Sequence, residues 1–151
     1  MQLDLQAQKG SNAKPVSGGA SDDLFGARAL DHPVLVVEDD IDNARSIALL
    51  LGCMGHKVEY AINGIAGLHL AQQIRPRVVI LDLKLPDIHG AEMARQIRGH
   101  PDLKDVRIIA ITGSNFQKDH DRARAAGCDE VLTKPVAPEI FDQLIRGVKP
   151  S

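Results

Sequence analysis

The sequence predicts an α/β fold built on a doubly wound parallel sheet, and three observations lead there. First, Val78-Val79-Ile80-Leu81 is aliphatic throughout, is bounded by Pro76 and Pro86, and closes on Asp82, as expected of a strand buried on both faces. Second, short aliphatic runs alternate with segments of helical periodicity from residue 33 to about residue 148, giving five strand–helix units. Parallel strands joined this way need right-handed crossovers, which place helices on both faces of the sheet. Third, charged residues gather where these strands end, the edge at which open α/β sheets place their ligands.

The elements follow in order. Val34 to Glu38 is the first strand. Ile41, Ala44, Ile47, Ala48, Leu50 and Leu51 share one face of the first helix, which Gly52 and Gly55 end. His56 to Ala61 forms a short second strand, and Asn63-Gly64 opens a helix running through Ile74. The central strand covers Arg77 to Asp82, and Gly90 to Arg98 forms a third helix through Met93, Ala94 and Ile97. Val106 to Thr112 is the fourth strand, with a helix from Asn115 to Ala126 stopped by Gly127. Glu130 to Thr133 makes the fifth strand, and a last helix runs from Ala137 or Pro138 to about Val148.

Composition bounds the function. At 151 residues the chain holds one domain with a proper core. Aromatics are 3% with no Trp, so that core is aliphatic. A net charge of −2, without a long run of either sign, argues against nucleic acid or an anionic membrane as partner. Cys53 and Cys128 share no CxxC spacing, so two buried, reduced thiols are expected rather than a disulfide or a zinc site. No stretch approaches 18 apolar residues, and the first thirty lack a signal peptide's apolar centre. A soluble, cytoplasmic chain is expected. Residues 1–32 carry Gln, Lys, Ser and Gly-Gly without periodicity and read as a disordered N-terminal tail, leaving 33–148 as the domain.

The strand ends carry the chemistry. Strand one ends in Glu38-Asp39-Asp40, strand three in Asp82 and strand four in Thr112, while strand five runs into Lys134-Pro135. In a sheet ordered 2-1-3-4-5, strands one and three would be neighbours and Glu38, Asp39 and Asp82 would converge on one crevice. Carboxylates packed together repel, and a divalent cation relieves the repulsion. Oxygen donors without Cys or His select a hard ion, Mg²⁺ or alternatively Mn²⁺. Lys134 is a mobile positive charge able to pair with Asp82 or with a phosphoryl oxygen. Thr112 adds a hydroxyl, and Gly113 leaves room for a phosphate. These parts suit phosphoryl transfer onto a carboxylate, with Asp82 as nucleophile. An acidic run at a strand end also caps helices, which is the reading for Asp40. The six histidines are scattered singly without ligand spacing; His89 follows Asp82 closely enough to adjust access to it.

Glu38-Asp39, Asp82 with Leu85-Pro86 and Gly90, Thr112-Gly113 and Lys134-Pro135, in this order and context, resemble the receiver domain of two-component response regulators. The resemblance covers about residues 33 to 148 and implies a flavodoxin-like (βα)5 sheet in strand order 2-1-3-4-5. It implies that Asp82 accepts a phosphoryl group from a histidine kinase or a histidine phosphotransfer protein. Glu38 and Asp39 would hold Mg²⁺ together with Asp82 and the backbone carbonyl of Lys84. Thr112 and Lys134 would bind the phosphoryl oxygens, and the Lys134–Pro135 bond would be cis. Lys84 and Ser114 stand where the family tunes acyl-phosphate lifetime.

One departure is Val131, where the family usually carries Tyr or Phe; a valine has no ring to swing. The implied function is that of a response regulator in a phosphorelay, catalysing only its own phosphorylation and dephosphorylation. The chain stops about where its last helix does, so the expected output is protein–protein contact, phosphate relay or an action of the N-terminal tail rather than an attached DNA-binding or catalytic domain. The alternatives are a phosphate-independent scaffold on the same fold and the receiver module of a hybrid histidine kinase; Met1 and the leader favour a stand-alone regulator. A phosphatase of the dehalogenase type needs a second Asp two residues past the nucleophile, where this chain has Lys84.

Overall fold

The computed structural model describes residues 32–147. The tail expected over 1–32, His32 apart, and the helix end expected at Val148 lie outside the described residues. Strands β1 (Val34–Val37), β2 (Val58–Ala61), β3 (Val78–Asp82), β4 (Arg107–Thr112) and β5 (Glu130–Thr133) alternate with five helices. These are α1 (Ile41–Cys53), α2 (Gly64–Ile74), α3 (Gly90–Gly99), α4 (Gln117–Ala125) and α5 (Pro138–Ile145). All neighbouring strands pair in parallel, and the sheet order is β2-β1-β3-β4-β5. This is the flavodoxin-like, doubly wound order that the resemblance implies.

Successive strand residues point to opposite faces, so the sheet divides its aliphatic side chains between two cores. Leu35, Val37, Val79, Leu81, Ile108 and Ala110 pack beneath α2, α3 and α4, with Met93, Ala94 and Ile97 from α3. Val34, Val36, Ile80, Ile109 and Ile111 pack beneath α1 and α5, with Leu51, Phe141 and Leu144. Each fully buried aliphatic side chain contributes about 1.5–3 kcal/mol relative to exposure. The central strands and α3 therefore carry the stability, whereas α4 buries a single side chain, Ala123.

Several boundaries differ from the sequence reading by a residue or two. The ladder ends at Val37, although the Glu38 N–H still donates to the Ala61 carbonyl at 3.0 Å. The α4 helix starts at Gln117 rather than Asn115, because the Ser114 hydroxyl accepts the Phe116 N–H and keeps this stretch out of the helix. The α5 helix ends at Ile145, since Gly147 takes φ +84° and unwinds the chain.

The expected inner face of α1 is narrower than its periodicity implied. Only Ala44 and Leu51 are buried, while Ile41 is 44% and Leu50 42% exposed. This helix rests on β1, β2 and α5 at the side of the sheet, so one thin stripe reaches the core. The expectation of two buried thiols is likewise corrected: both cysteines are free, but only Cys128 is buried. Cys53 lies two positions beyond Leu51, about 200° around the helix, and faces outward.

Two close approaches set the geometry of the β3–α3 connection. A methyl group on Gly90 would lie 2.6 Å from Leu83 Cα and 2.8 Å from the Asp82 carbonyl oxygen. Only glycine lets α3 start directly against the end of β3. Arg98, near the other end of α3, donates to the carbonyls of Gly127, Lys104 and Val106 and to Asp129, tying that end to the entries of β4 and β5. No helix among the described residues is long and apolar enough to cross a membrane.

Gly90→Ala should lower stability by about 1–3 kcal/mol, toward the upper end because the obstructing atoms are backbone. Gly99→Ala, whose new methyl meets nothing within 4 Å, should be neutral or stabilising. Urea midpoints of the two variants check this.

Candidate functional site

Strand register assembles the site. Val37 pairs with Leu81, so Glu38 and Asp82 follow side by side at the C-terminal ends of β1 and β3. Asp82 pairs with Ile111, and Thr112 pairs with Thr133, which brings Thr112 and Lys134 to the same edge. The Lys134 N–H donates to the Thr112 carbonyl at 2.8 Å, and the Lys134–Pro135 bond is cis.

The side chains converge. Lys134 Nζ donates to Asp82 Oδ2 at 2.8 Å and to Glu38 Oε1 at 3.4 Å. Asp82 Oδ1 accepts the Lys84 N–H at 2.9 Å, and Glu38 Oε2 accepts the Asp40 N–H at 3.2 Å. Glu38 is 2% and Asp82 3% exposed, while Asp39 and Lys84 face solvent. One carboxylate oxygen from each of Glu38, Asp39 and Asp82 lies within 4.8 Å of the others. Asp40 caps α1, accepting the N–H groups of Asp42 and Asn43. Thr112 is buried, and its Oγ1 accepts the Ser114 N–H at 3.0 Å, leaving the hydroxyl proton free to donate elsewhere.

The electrostatics are those of excess negative charge. Burial pushes the Glu38 carboxyl up to about 7; the Asp40 N–H and Lys134 offset this in part, while Asp82 and the contact with Asp39 add to it. Burial works against the Lys134 charge, yet the hydrogen bond and charge of Asp82, with Glu38 behind, raise its pKa above the ordinary lysine value. The donor set is all oxygen, clustered and under-neutralised by one lysine, and so fits a hard divalent cation.

The sequence reading did not find the residues that hold the loops around this cluster. Asp87 accepts the N–H groups of Gly64 and Ile65, each at 2.8 Å, and that of Ile88 at 2.9 Å. Its carboxylate thus clamps the β3–α3 loop onto the first turn of α2. Burial opposes the charge, but these N–H donors outweigh it and hold the Asp87 carboxyl below the usual range. Gly64 permits the approach, since a Cβ there would lie 2.4 Å from Ile88 Cγ1. The signal available in the sequence was Pro86-Asp87, a turn residue pair. His89 caps α3 by accepting the Ala91 N–H at Nδ1 and lines a cleft of about 290 Å³ with Leu83, Lys84, Thr112, Asp119 and Arg122.

A family model for the response regulator receiver domain matches residues 34–146. The polar-differentiation response regulator DivK of Brucella anthropi is 28% identical over 113 residues, covering 75% of this chain and 92% of that protein. Among solved structures, the chemotaxis protein CheY4 of Vibrio cholerae superposes with a TM-score of 0.73 at 28% identity, covering 78% of this chain and 98% of that one. The signal receiver domain of a signal transduction histidine kinase from Syntrophus aciditrophicus gives 0.70 at 27% identity, covering 80% and 94%.

The raised Glu38 pKa makes the metal-free protein pH-sensitive in a defined direction. Between about 4.5 and about 7 the folded state binds a proton that the unfolded state has released, so stability falls as pH rises through this window. Glu38→Gln should remove that part of the slope. Urea titrations of both proteins at stepped pH, with chelator present, provide the comparison.

Proposed function

This chain belongs to the response regulator receiver family, a family of two-component signalling modules, and from that premise we propose that Asp82 is its phosphoacceptor. The carrying observation is the Lys134 ammonium held 2.8 Å from Asp82, beside an acidic pair on the neighbouring strand. In the reaction an Asp82 oxygen forms a bond to phosphorus while the bond from phosphorus to the donor nitrogen breaks, leaving an acyl phosphate and a neutral imidazole on the donor. The donor class is a phosphohistidine on a histidine kinase or a histidine phosphotransfer protein. The domain is residues 33–148 and works in the cytoplasm.

Each residue has a defined task. The Lys84 N–H on Oδ1 and Lys134 on Oδ2 fix the plane of the Asp82 carboxylate before the donor arrives. Lys134 then pairs with a phosphoryl oxygen, and the free proton of the Thr112 hydroxyl donates to another. Glu38, Asp39, Asp82 and the Lys84 carbonyl would hold Mg²⁺, or Mn²⁺ in its place, and the ion when bound supplies charge neutralisation for the transferred group. Lys84, two residues past the acceptor, and Ser114, two past Thr112, would tune the lifetime of the acyl phosphate. The output is contact with a downstream protein, with neither nucleic acid nor membrane as a direct partner. A second reading, the receiver module of a hybrid histidine kinase, is favoured by the likeness to the Syntrophus aciditrophicus receiver and uses the same chemistry.

Acetyl phosphate with Mg²⁺ should add the mass of one phosphoryl group to the intact protein. Asp82→Asn should gain none, and chelator should prevent the gain in the wild-type chain. A wild-type protein that folds and gains no phosphoryl mass, from acetyl phosphate or from a phosphohistidine donor, would make it a phosphate-independent scaffold instead.

A further inference from the structure

The α4 helix is the least anchored of the helices packed on its face of the sheet. It spans nine residues, lacks a side-chain hydrogen bond at its N-cap and buries one methyl group, that of Ala123. Polar tethers therefore set its position. Asp119 accepts a hydrogen bond from the Ser114 hydroxyl, which binds the helix to the loop that precedes it. His120 reaches further: its Nε2 lies 3.0 Å from the Ser114 carbonyl and 3.2 Å from the Thr133 hydroxyl at the end of β5. A carbonyl oxygen carries no proton, so Nε2 bears the hydrogen and the Thr133 oxygen takes the second lobe of a shared bond.

These contacts close a ring. The Ser114 N–H donates to Thr112 Oγ1 at 3.0 Å, Thr133 adjoins Lys134, and the Lys134 N–H returns to the Thr112 carbonyl at 2.8 Å. His120 is the one member of this ring that comes from α4. Both residues assigned to the phosphoryl oxygens, Thr112 and Lys134, also belong to it. Nearby on β5, Val131 is buried and aliphatic, so it offers the ring no polar partner.

We propose that His120 is a positioning residue that transmits the state of the Asp82 site to α4 and to the end of β5. The inference rests on the phosphoacceptor reading above and names how that site is read. A Thr112 hydroxyl drawn toward a phosphoryl oxygen pulls on the Ser114 N–H, and the Ser114 carbonyl is the acceptor that fixes His120. With so little apolar surface to lose, α4 follows its tether, as weakly packed elements do.

The test uses the ¹⁵N-labelled full chain with acetyl phosphate and Mg²⁺, reading phosphoryl occupancy by intact mass and the response by amide shifts across α4 and β5. Wild type should show shift changes at both elements on phosphorylation. His120→Ala should reach comparable occupancy and lose most of the α4 and Thr133 changes. His120→Gln, whose amide N–H replaces the imidazole donor, should restore them. Thr133→Val keeps the volume, cuts only the β5 arm, and should lose the response at β5 while keeping that of α4; it serves as the probe where His120→Ala does not fold. Unchanged shifts at equal occupancy in His120→Ala, or in Thr133→Val at β5, would overturn the proposal. A wild-type chain that gains no phosphoryl mass removes the phosphoacceptor reading itself, which is a separate failure and takes this inference with it.

Discussion

Two buried carboxylates on adjacent strands, with a single lysine between them, impose the constraint on which the rest of this structure depends. Burying an ionised group without a partner costs several kcal/mol, and breaking a buried pair leaves that cost uncompensated. Glu38 and Asp82 meet because β1 and β3 are register neighbours, and Lys134 reaches both from beyond β5. Moving any of these strands by one residue would turn a carboxylate into the aliphatic core or strand the lysine in solvent. Sheet order, register and site charge are therefore one arrangement. Replacing such a buried charged cluster with well-packed apolar residues is often neutral or stabilising, so the cluster is a costly feature of the fold rather than a source of its stability.

The loops are built to hold this edge in place. Gly90 lets α3 start against the Asp82 carbonyl, and Asp87 spends its charge on the first turn of α2 rather than on the acidic cluster. The negative Asp87 is thus kept where backbone N–H groups and the helix dipole welcome it. On the opposite side of the molecule a comparable tie holds α5. Arg77 can only donate, so its hydrogen bond to His56 Nδ1 leaves Nε2–H to bind Asp142 at 2.6 Å. Burial disfavours the Asp142 charge, but His56 and Arg146 outweigh it and lower its pKa. Both ends of the sheet are closed by charged side chains that cross between elements.

What the sequence disclosed, and what it hid, follows from the range of the interactions. The strands were legible because Val78–Leu81 and Ile108–Ile111 must be apolar on both faces, a property written residue by residue. The acidic residues were legible because they end such strands. Arg98 and His56 were not, since Gly127 and Asp142 lie 29 and 86 residues away and no local pattern marks them, while Asp87 carried a turn signal beside Pro86 but no sign of Gly64, 23 residues away. The outward turn of Cys53 and the exposure of Leu50 were missed for a related reason. Helical periodicity gives the direction of a face, while the width of the buried stripe depends on which neighbours cover it.

Energetics explain why a site of this kind can drive a change elsewhere in so small a fold. A phosphoryl group adds about −1.5 to −2 charges to an edge that already holds more carboxylates than lysines. Switching a two-state element from nearly all one form to nearly all the other needs about 5.5 kcal/mol of differential stabilisation. Hydrogen bonds to charged groups each supply about 1.5–3 kcal/mol. Under the proposed assignment, contacts from Thr112 and Lys134 to phosphoryl oxygens would together supply about 3–6 kcal/mol, reaching that figure at the upper end, and either alone would fall short. Lys134 is already held 2.8 Å from Asp82, whereas the Thr112 oxygen is tied to the Ser114 N–H at the start of the following loop. That loop is followed directly by the helix with one buried side chain.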